Sequence, residues 1–211
     1  MTLARTRTSS VATLPILLLA VSQALAASPS FSCAKPSGAA EEAICKDDTL
    51  AALDRENARV YSLARGMPGL DPWKRNQLIA MQRGWIKGRN DCWKSEDAKA
   101  CIRDSYVMRI AEVRGGYTGA RAKGGVSIGP VAVKCPGTAA MNATFVNVDP
   151  QLAYLGGGDI SLVMTIDRSG SGAKYTGKSP QGEAMFWQKG PEAIVQLPGG
   201  KEMTCSVGPL K

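Results

Sequence analysis

The segment 169–175, SGSGAKY, places glycines and a lysine close enough together to suggest a phosphate-binding loop. A P-loop needs the lysine directly after its last glycine and then Ser or Thr, because the lysine reaches the terminal phosphates and the hydroxyl holds magnesium. Here Ala173 separates Gly172 from Lys174, and Tyr175 follows. The spacing therefore excludes a P-loop, and a Gly/Ser cluster of this kind is more typical of a turn.

The chain contains no histidine. This absence removes the commonest general base, the Ser–His and Cys–His nucleophile pairs, and the usual zinc ligand. A glycan hydrolase would need two carboxylates facing each other across a cleft, and no motif in this sequence pairs them. We therefore expect a protein that is not an enzyme and that needs no metal and no cofactor.

The first residues predict export. Arg5 and Arg7 precede an apolar run at 14–21, and Ala24-Leu25-Ala26 offers a small-x-small cleavage pattern, so residues 1–26 are predicted to be a secretory signal peptide. The apolar run is well short of the roughly 20 residues that a membrane-spanning helix needs. No cysteine stands at the expected cleavage point, which argues against a lipid anchor there. We expect a soluble periplasmic protein without a membrane anchor.

The formal net charge is +8. The predicted signal peptide supplies two of these charges, and the remainder is divided evenly between the two halves of the mature chain. Charge this diffuse does not predict nucleic-acid binding. It suits solubility, or an acidic partner such as an envelope polymer.

The six cysteines of an exported chain favour three disulfides over free thiols or metal ligands. Four of them lie in the first half and allow three pairings. We favour Cys33 with Cys45 and Cys92 with Cys101, because each pair closes a short loop between helix ends. The second half holds only Cys135 and Cys205.

Residues 27–114 have helical periodicity. One helix is predicted over 49–65 and stops at Gly66, a second opens at Asp71-Pro72, and a third starts near Ser95. In the second helix an apolar stripe is predicted, formed by Leu78, Met81, Trp85 and Cys92.

Residues 115–130 contain six glycines, have no hydrophobic period and predict a flexible linker. Over 131–211 the period changes to two, and turn signals separate some six to eight short strands. Cys135 and Cys205 point inward from the first and last strands, so a bridge between them would close a small antiparallel barrel. The predicted fold is α+β with two domains: a disulfide-stapled all-helical domain and a small β-barrel.

The second half resembles the MliC/PliC family of inhibitors of c-type lysozyme. The resemblance covers about 131–205 and is carried by Cys135, by an SGxxY motif at 171–175, by an FWxKGxxA motif at 186–193, and by Cys205. The first half resembles the LprI-type domain, which is also linked to lysozyme inhibition, through SFSCAK at 30–35, EEAIC at 41–45, LAALDRE at 50–56, QRGW at 82–85 and RNDCW at 89–93.

This resemblance implies that Ser171 and Lys189 enter the active-site cleft of c-type lysozyme, with Gly172, Tyr175 and Gly190 of the same motifs in the binding site. The motif aromatics Tyr175, Phe186 and Trp187 are more typical of core or loop support than of direct contact. A lysozyme cleft holds two carboxylates, so an ammonium and a hydroxyl offered together can pair with both. Lys174 falls on a variable position, and a longer loop at 176–183 separates the motifs. The alternative is a non-inhibitory module that binds the cell envelope, through peptidoglycan or a periplasmic partner.

Overall fold

The computed structural model describes residues 28–209, so the predicted signal peptide at 1–26 lies outside the described residues. Helices occupy the first part of the described chain and strands the second. No helix within residues 28–209 is both long and apolar enough to span a bilayer.

The helical part contains four α-helices within the described residues: α1 (Ala39–Cys45), α2 (Asp48–Arg65), α3 (Pro72–Asn90) and α4 (Ala98–Gly116). The side chains of Asp47, Asp71 and Asp97 cap α2, α3 and α4, and each accepts a hydrogen bond from a backbone N–H of the first turn. Short 3-10 turns follow α3 at Asp91–Lys94 and α4 at Thr118–Arg121. The predicted helix starts at Asp71-Pro72 and near Ser95 agree with these bounds.

A buried polar cluster lies at the centre of the helical core. The Tyr106 hydroxyl donates to Asp54 Oδ1 at 2.8 Å and accepts from Arg89 Nη1 at 2.6 Å. Trp85 packs edge-on against the Tyr106 ring, with 5.1 Å between ring centroids. Because each charged group in the cluster has a partner, the helices bury these charges without leaving one isolated.

Eight strands follow within the described residues: β1 (Ser127–Lys134), β2 (Met141–Val146), β3 (Leu152–Gly157), β4 (Ile160–Asp167), β5 (Ala173–Ser179), β6 (Gly182–Lys189), β7 (Glu192–Gln196) and β8 (Glu202–Pro209). Each pairs antiparallel with its sequence neighbour, and β1 also pairs with β8. The result is the predicted closed barrel, in up-and-down order. Its interior is filled by alternate side chains, among them Val133, Leu155, Met164, Phe186 and Val195.

The structure contains three disulfides, Cys33–Cys45, Cys92–Cys101 and Cys135–Cys205. These are the pairings that short loops and inward-facing strand positions favoured. Cys135–Cys205 joins residues 70 apart beside the seam where β1 meets β8, so it reinforces the closure of the barrel.

The segment 115–130 differs from the predicted flexible linker. Gly115 and Gly116 complete α4, a 3-10 turn follows, and β1 already begins at Ser127. Ala120 is fully buried in the helical core, and Arg121 donates hydrogen bonds to the carbonyls of Arg114 and Gly115. The glycines mask this structure in the sequence because the contacts that order the segment come from residues distant along the chain.

The helical part packs on the barrel wall. Val146 and Leu152, at the adjoining ends of β2 and β3, belong to the same buried cluster as the helical core. Thr49 at the start of α2 donates its hydroxyl to the Asp149 carbonyl in the β2–β3 loop. The division into two domains stays a prediction, but the two parts share apolar core and are not joined by the chain alone.

Two buried charged residues fix the start of β1 against the helices. Glu56 of α2 accepts hydrogen bonds from the Val126 and Ser127 backbone and from the Ser127 hydroxyl, and it pairs with Arg59. Arg114 of α4 donates twice to the Gly129 carbonyl, at 3.0 and 2.6 Å. Burial opposes ionisation of Glu56, yet the hydrogen bonds from Arg59 and Ser127 outweigh it and hold the pKa of Glu56 below its ordinary value.

We expect replacement of both Cys135 and Cys205 by Ser to lower the free energy of unfolding by about 2 to 5 kcal/mol. Loop-closure entropy predicts about 4 kcal/mol for a loop of this length and about 2 to 3 kcal/mol for the shorter Cys92–Cys101 loop. Urea unfolding of the two double variants measures both losses. A greater loss at Cys92–Cys101 would contradict this explanation.

We expect Glu56→Gln to destabilise the protein at pH 7 and to flatten its acid sensitivity. A carboxyl with a lowered folded-state pKa stabilises the fold fully above its unfolded-state pKa, about 4.3 for Glu, and this contribution is lost as the pH falls towards the folded-state pKa. Urea unfolding at pH 7 and below pH 4 measures the effect. Glu183→Gln, at an exposed ion pair, is the control; equal acid sensitivity in the two variants would contradict the assignment.

Candidate protein-binding site

Barrel closure brings three loops to one end of the molecule. Neighbouring strands run in opposite directions, so the β2–β3, β4–β5 and β6–β7 connections all lie at the same end. The β4–β5 connection spans 168–172 and contains Ser171, and the β6–β7 turn follows Lys189 directly. The two motif residues predicted to act together therefore come from loops at the same end of the barrel.

Trp187 links the two loops. Its indole Nε1 donates to the Ser171 carbonyl at 2.8 Å. The Ser169 hydroxyl contacts the same carbonyl at 3.2 Å and also donates to the Gly172 carbonyl at 3.0 Å. The Ser171 side chain is exposed. Within residues 28–209, hydrogen bonds reach the Ser171 carbonyl and none is formed by its hydroxyl. Its backbone is held while its side chain is available to a partner.

The two motif positions 172 and 190 favour glycine for different reasons. Gly172 has φ +71°, and a Cβ at this position would lie 2.2 Å from the Gln188 carbonyl oxygen, so any side chain would push the β4–β5 loop away from β6. Gly190 has φ +62° and open space around it, so the left-handed turn alone favours glycine. Gln188 Nε2 donates to the Gly190 carbonyl at 3.0 Å and braces that turn.

Lys189 lies over the face of Trp187, with Nζ 3.6 Å from the ring centroid. The side chain is exposed, and the strand register places Glu192 opposite it across the turn. A lysine stacked on an aromatic face has fewer conformations to lose on binding than a free one, while its ammonium keeps its charge. A shallow cavity of ≈ 170 Å³ beside it is lined by Trp187, Lys189, Glu192, Ala193, Ile194 and Thr204.

Tyr175, expected in the binding site, lies inside the barrel. It is only 3% exposed and packs against Phe145, and burial raises the pKa of its hydroxyl. It therefore supports the β5 end of the loop from within. Phe186 is likewise fully buried, in line with a core function for this aromatic residue.

Lys174 forms an ion pair with Asp167. Its ammonium lies 3.4 Å from Asp167 Oδ2 on the neighbouring strand β4. This ion pair distinguishes Lys174 from Lys189, whose ammonium lies over the ring of Trp187.

The segment 176–183, predicted to be a longer loop, is an extended hairpin. Residues 176–179 continue β5, residues 182 and 183 begin β6, and only Pro180 and Gln181 form the turn. A strand of this length rises roughly 20 Å at about 3.3 Å per residue. The extra residues therefore lie at the opposite end of the barrel from Ser171 and Lys189.

Comparison with known proteins gives two matches. Residues 133–204 match the family described as membrane-bound lysozyme-inhibitor of c-type lysozyme, MliC. The barrel is similar to an MliC domain over these residues. The chain is also 28% identical over 152 residues to lipoprotein LprI of Mycobacterium tuberculosis and of Mycobacterium bovis, covering 71% of this chain and 72% of each relative. No solved structure matches.

These matches support the MliC-like and LprI-type parts recognised in the sequence, and they connect the chain with a lysozyme-inhibitor family. Among the residues that order the loops, sequence reasoning missed Ser169 and Gln188. Trp187 was interpreted only generally, as core or loop support. Strand alternation with Phe186 inside the barrel places Trp187 on its outer face, which is the signal for a surface function.

We expect Trp187→Phe to weaken the order of the β4–β5 loop while the fold stays intact. Phenylalanine keeps a ring beneath Lys189 but removes the N–H that holds the Ser171 carbonyl, a loss of about 0.5 to 1.5 kcal/mol. Backbone amide exchange at 170–173 measures the loop directly. Unchanged exchange there would show that the indole hydrogen bond does not order the loop.

Proposed function

We propose that this protein inhibits c-type lysozyme from the periplasm by inserting the β4–β5 and β6–β7 loops into the lysozyme active-site cleft. Ser171 offers a hydroxyl and Lys189 an ammonium. The observation that carries the proposal is the link through Trp187, which holds the Ser171 carbonyl and supports the Lys189 side chain at once. The match to the lysozyme-inhibitor family supports c-type lysozyme as the partner.

The chemistry of the two side chains fits a lysozyme cleft. Such a cleft carries a general acid and a second carboxylate that acts as nucleophile or stabiliser. A lysine ammonium pairs with a carboxylate through a charge-assisted hydrogen bond, and a serine hydroxyl can donate to the other carboxylate. The two groups together satisfy the catalytic carboxylates and leave no room for the polysaccharide.

The ordered loops explain how an exposed pair of residues can bind well. Ordering a flexible loop on association opposes binding, by about 0.5 to 1.5 kcal/mol for each immobilised side chain. Here Gly172 packs against β6, Trp187 holds Ser171, and Gln188 braces the turn before binding takes place. A larger share of the contact energy is then retained as affinity.

We expect Lys189→Ala to weaken lysozyme binding most. Leaving a desolvated carboxylate unpaired costs about 2 to 5 kcal/mol, which is roughly a 30-fold to several-thousand-fold loss of affinity. Ser171→Ala should cost about 0.5 to 3 kcal/mol, and Lys174→Ala less than about 1 kcal/mol because it replaces one member of a partly exposed ion pair. Calorimetric titration against c-type lysozyme at fixed salt gives the three values.

Lys178→Ala is the matched control, because its side chain is 82% exposed at the far end of the same hairpin. A lysozyme assay on bacterial cell walls completes the test. Suppression of lysis by the wild type and not by Lys189→Ala supports the proposal. Wall binding without suppression would favour the envelope-binding module instead, and a larger loss at Lys174 than at Lys189 would overturn the site.

A further inference from the structure

Helix α3 carries most of its positive charge unpaired. It contains five basic residues and no acidic one. Arg89 is buried and pairs with Glu41 and Asp54. The other four are exposed, and none forms an ion pair with another group of residues 28–209: Lys74, Arg75, Arg83 and Lys87. These four lie along roughly 20 Å of helix, so they suit an extended anionic partner better than one small anion.

Exposed apolar side chains lie on the same helix. Trp73 is 67% exposed, and Met81, predicted to be part of the core stripe, is 45% exposed. Successive residues of a helix are rotated by about 100°, so Trp73 and Met81 project within about 80° of each other. The residues between them in this sector are Gln77, Gly84 and Gly88, all of them exposed. We call this sector the α3 face. Because two of its members have no side chain, Trp73 and Met81 supply its apolar surface.

Cations border the α3 face on both edges. The same rotation places Lys74 at one edge, next to Met81. At the other edge Lys87 and then Arg83 follow Trp73. The face is therefore an exposed apolar sector with long cationic side chains on either side of it.

A membrane surface with anionic lipids matches both properties of the face. In an amphipathic helix that lies on a bilayer, lysine and arginine reach the headgroups while an aromatic ring lies at the boundary between headgroups and acyl chains. A soluble polyanion would pair with the cations but leave Trp73 and Met81 without apolar contacts. A second copy of this chain would set the same cations opposite one another. Glu112 of α4, which shares a cavity with Lys74, pairs with Arg109 and does not neutralise that edge.

We propose that the α3 face binds the surface of a membrane that contains anionic phospholipids. Trp73 lies at the headgroup boundary, and Lys74, Arg83 and Lys87 contact the headgroups. Each lysine or arginine near such a surface strengthens binding by roughly fivefold. This is a reversible surface contact and not a membrane anchor. It uses no residue of the barrel loops and does not depend on lysozyme inhibition.

Flotation with lipid vesicles tests the proposal on the full mature chain. The vesicles contain equimolar phosphatidylglycerol and phosphatidylcholine, or phosphatidylcholine alone. We expect the protein to float with the mixed vesicles, to bind phosphatidylcholine alone at least about tenfold more weakly, and to bind less at raised salt. Equal binding to the two kinds of vesicle, or binding to neither, would overturn the proposal.

Charge reversals locate the contact. Lys87→Glu should weaken vesicle binding roughly 10- to 30-fold, because it reverses a charge at the edge of the α3 face. Lys201→Glu is the matched control, since this lysine of the β7–β8 connection is also exposed and has no ion pair within the described chain. It should have a much smaller effect. Equal losses in the two variants would show that net charge and not the α3 face attracts the vesicles, which would overturn the site.

Fluorescence quenching by brominated acyl chains tests the place of the aromatic ring. Trp73→Phe should remove most of the quenching seen with the wild type, whereas Trp187→Phe, at the barrel loops, should leave it unchanged. Long-chain polyphosphate is the soluble competitor. Tighter binding to polyphosphate than to the mixed vesicles, without quenching of Trp73, would assign the face to a soluble polyanion and overturn the membrane proposal.

Discussion

Closure of an eight-stranded barrel is the constraint on which the rest of the structure depends. Because β1 pairs with β8 and every strand is antiparallel to its neighbours, alternate loops must lie at one end. The Cys135–Cys205 bridge stands beside this seam. Ser171 and Lys189 are 18 positions apart in the sequence, yet their loops are neighbours because β5 and β6 form one hairpin between them.

The helical part is attached to the same end of the barrel. The β2–β3 loop, which accepts a hydrogen bond from Thr49, lies at the end of the barrel that carries Ser171 and Lys189. Glu56 and Arg114 then hold the start of β1 against α2 and α4. The helical part therefore contacts the barrel at the end that carries these loops, and the buried charges of Glu56 and Arg114 help to hold it there.

Much of this organisation can be predicted from local signals. A cap at Asp71, a helix start near Ser95, a period of two in the second half, and inward-facing cysteines at its ends were sufficient to predict α2, α3, α4 and the barrel, but not α1. The errors have a common cause, which is contact with distant residues. The segment 115–130 is held by hydrogen bonds to Glu56 and from Arg114, and Met81 is exposed on the wall of a cavity lined by residues of α3 and α4. Neither contact leaves a periodic trace in the sequence.

The candidate site also shows what a sequence pattern cannot predict. The family motif predicted Ser171 and Lys189, but a motif does not distinguish a residue that touches a partner from one that supports it. The structure shows that Tyr175 is buried inside the barrel, whereas Lys189 is exposed at its end. Trp187 falls between the two classes, since its N–H fixes one loop and its ring face carries the lysine of the other. A single outward-facing aromatic residue thus allows two short loops to present an ammonium and a hydroxyl in a fixed relation.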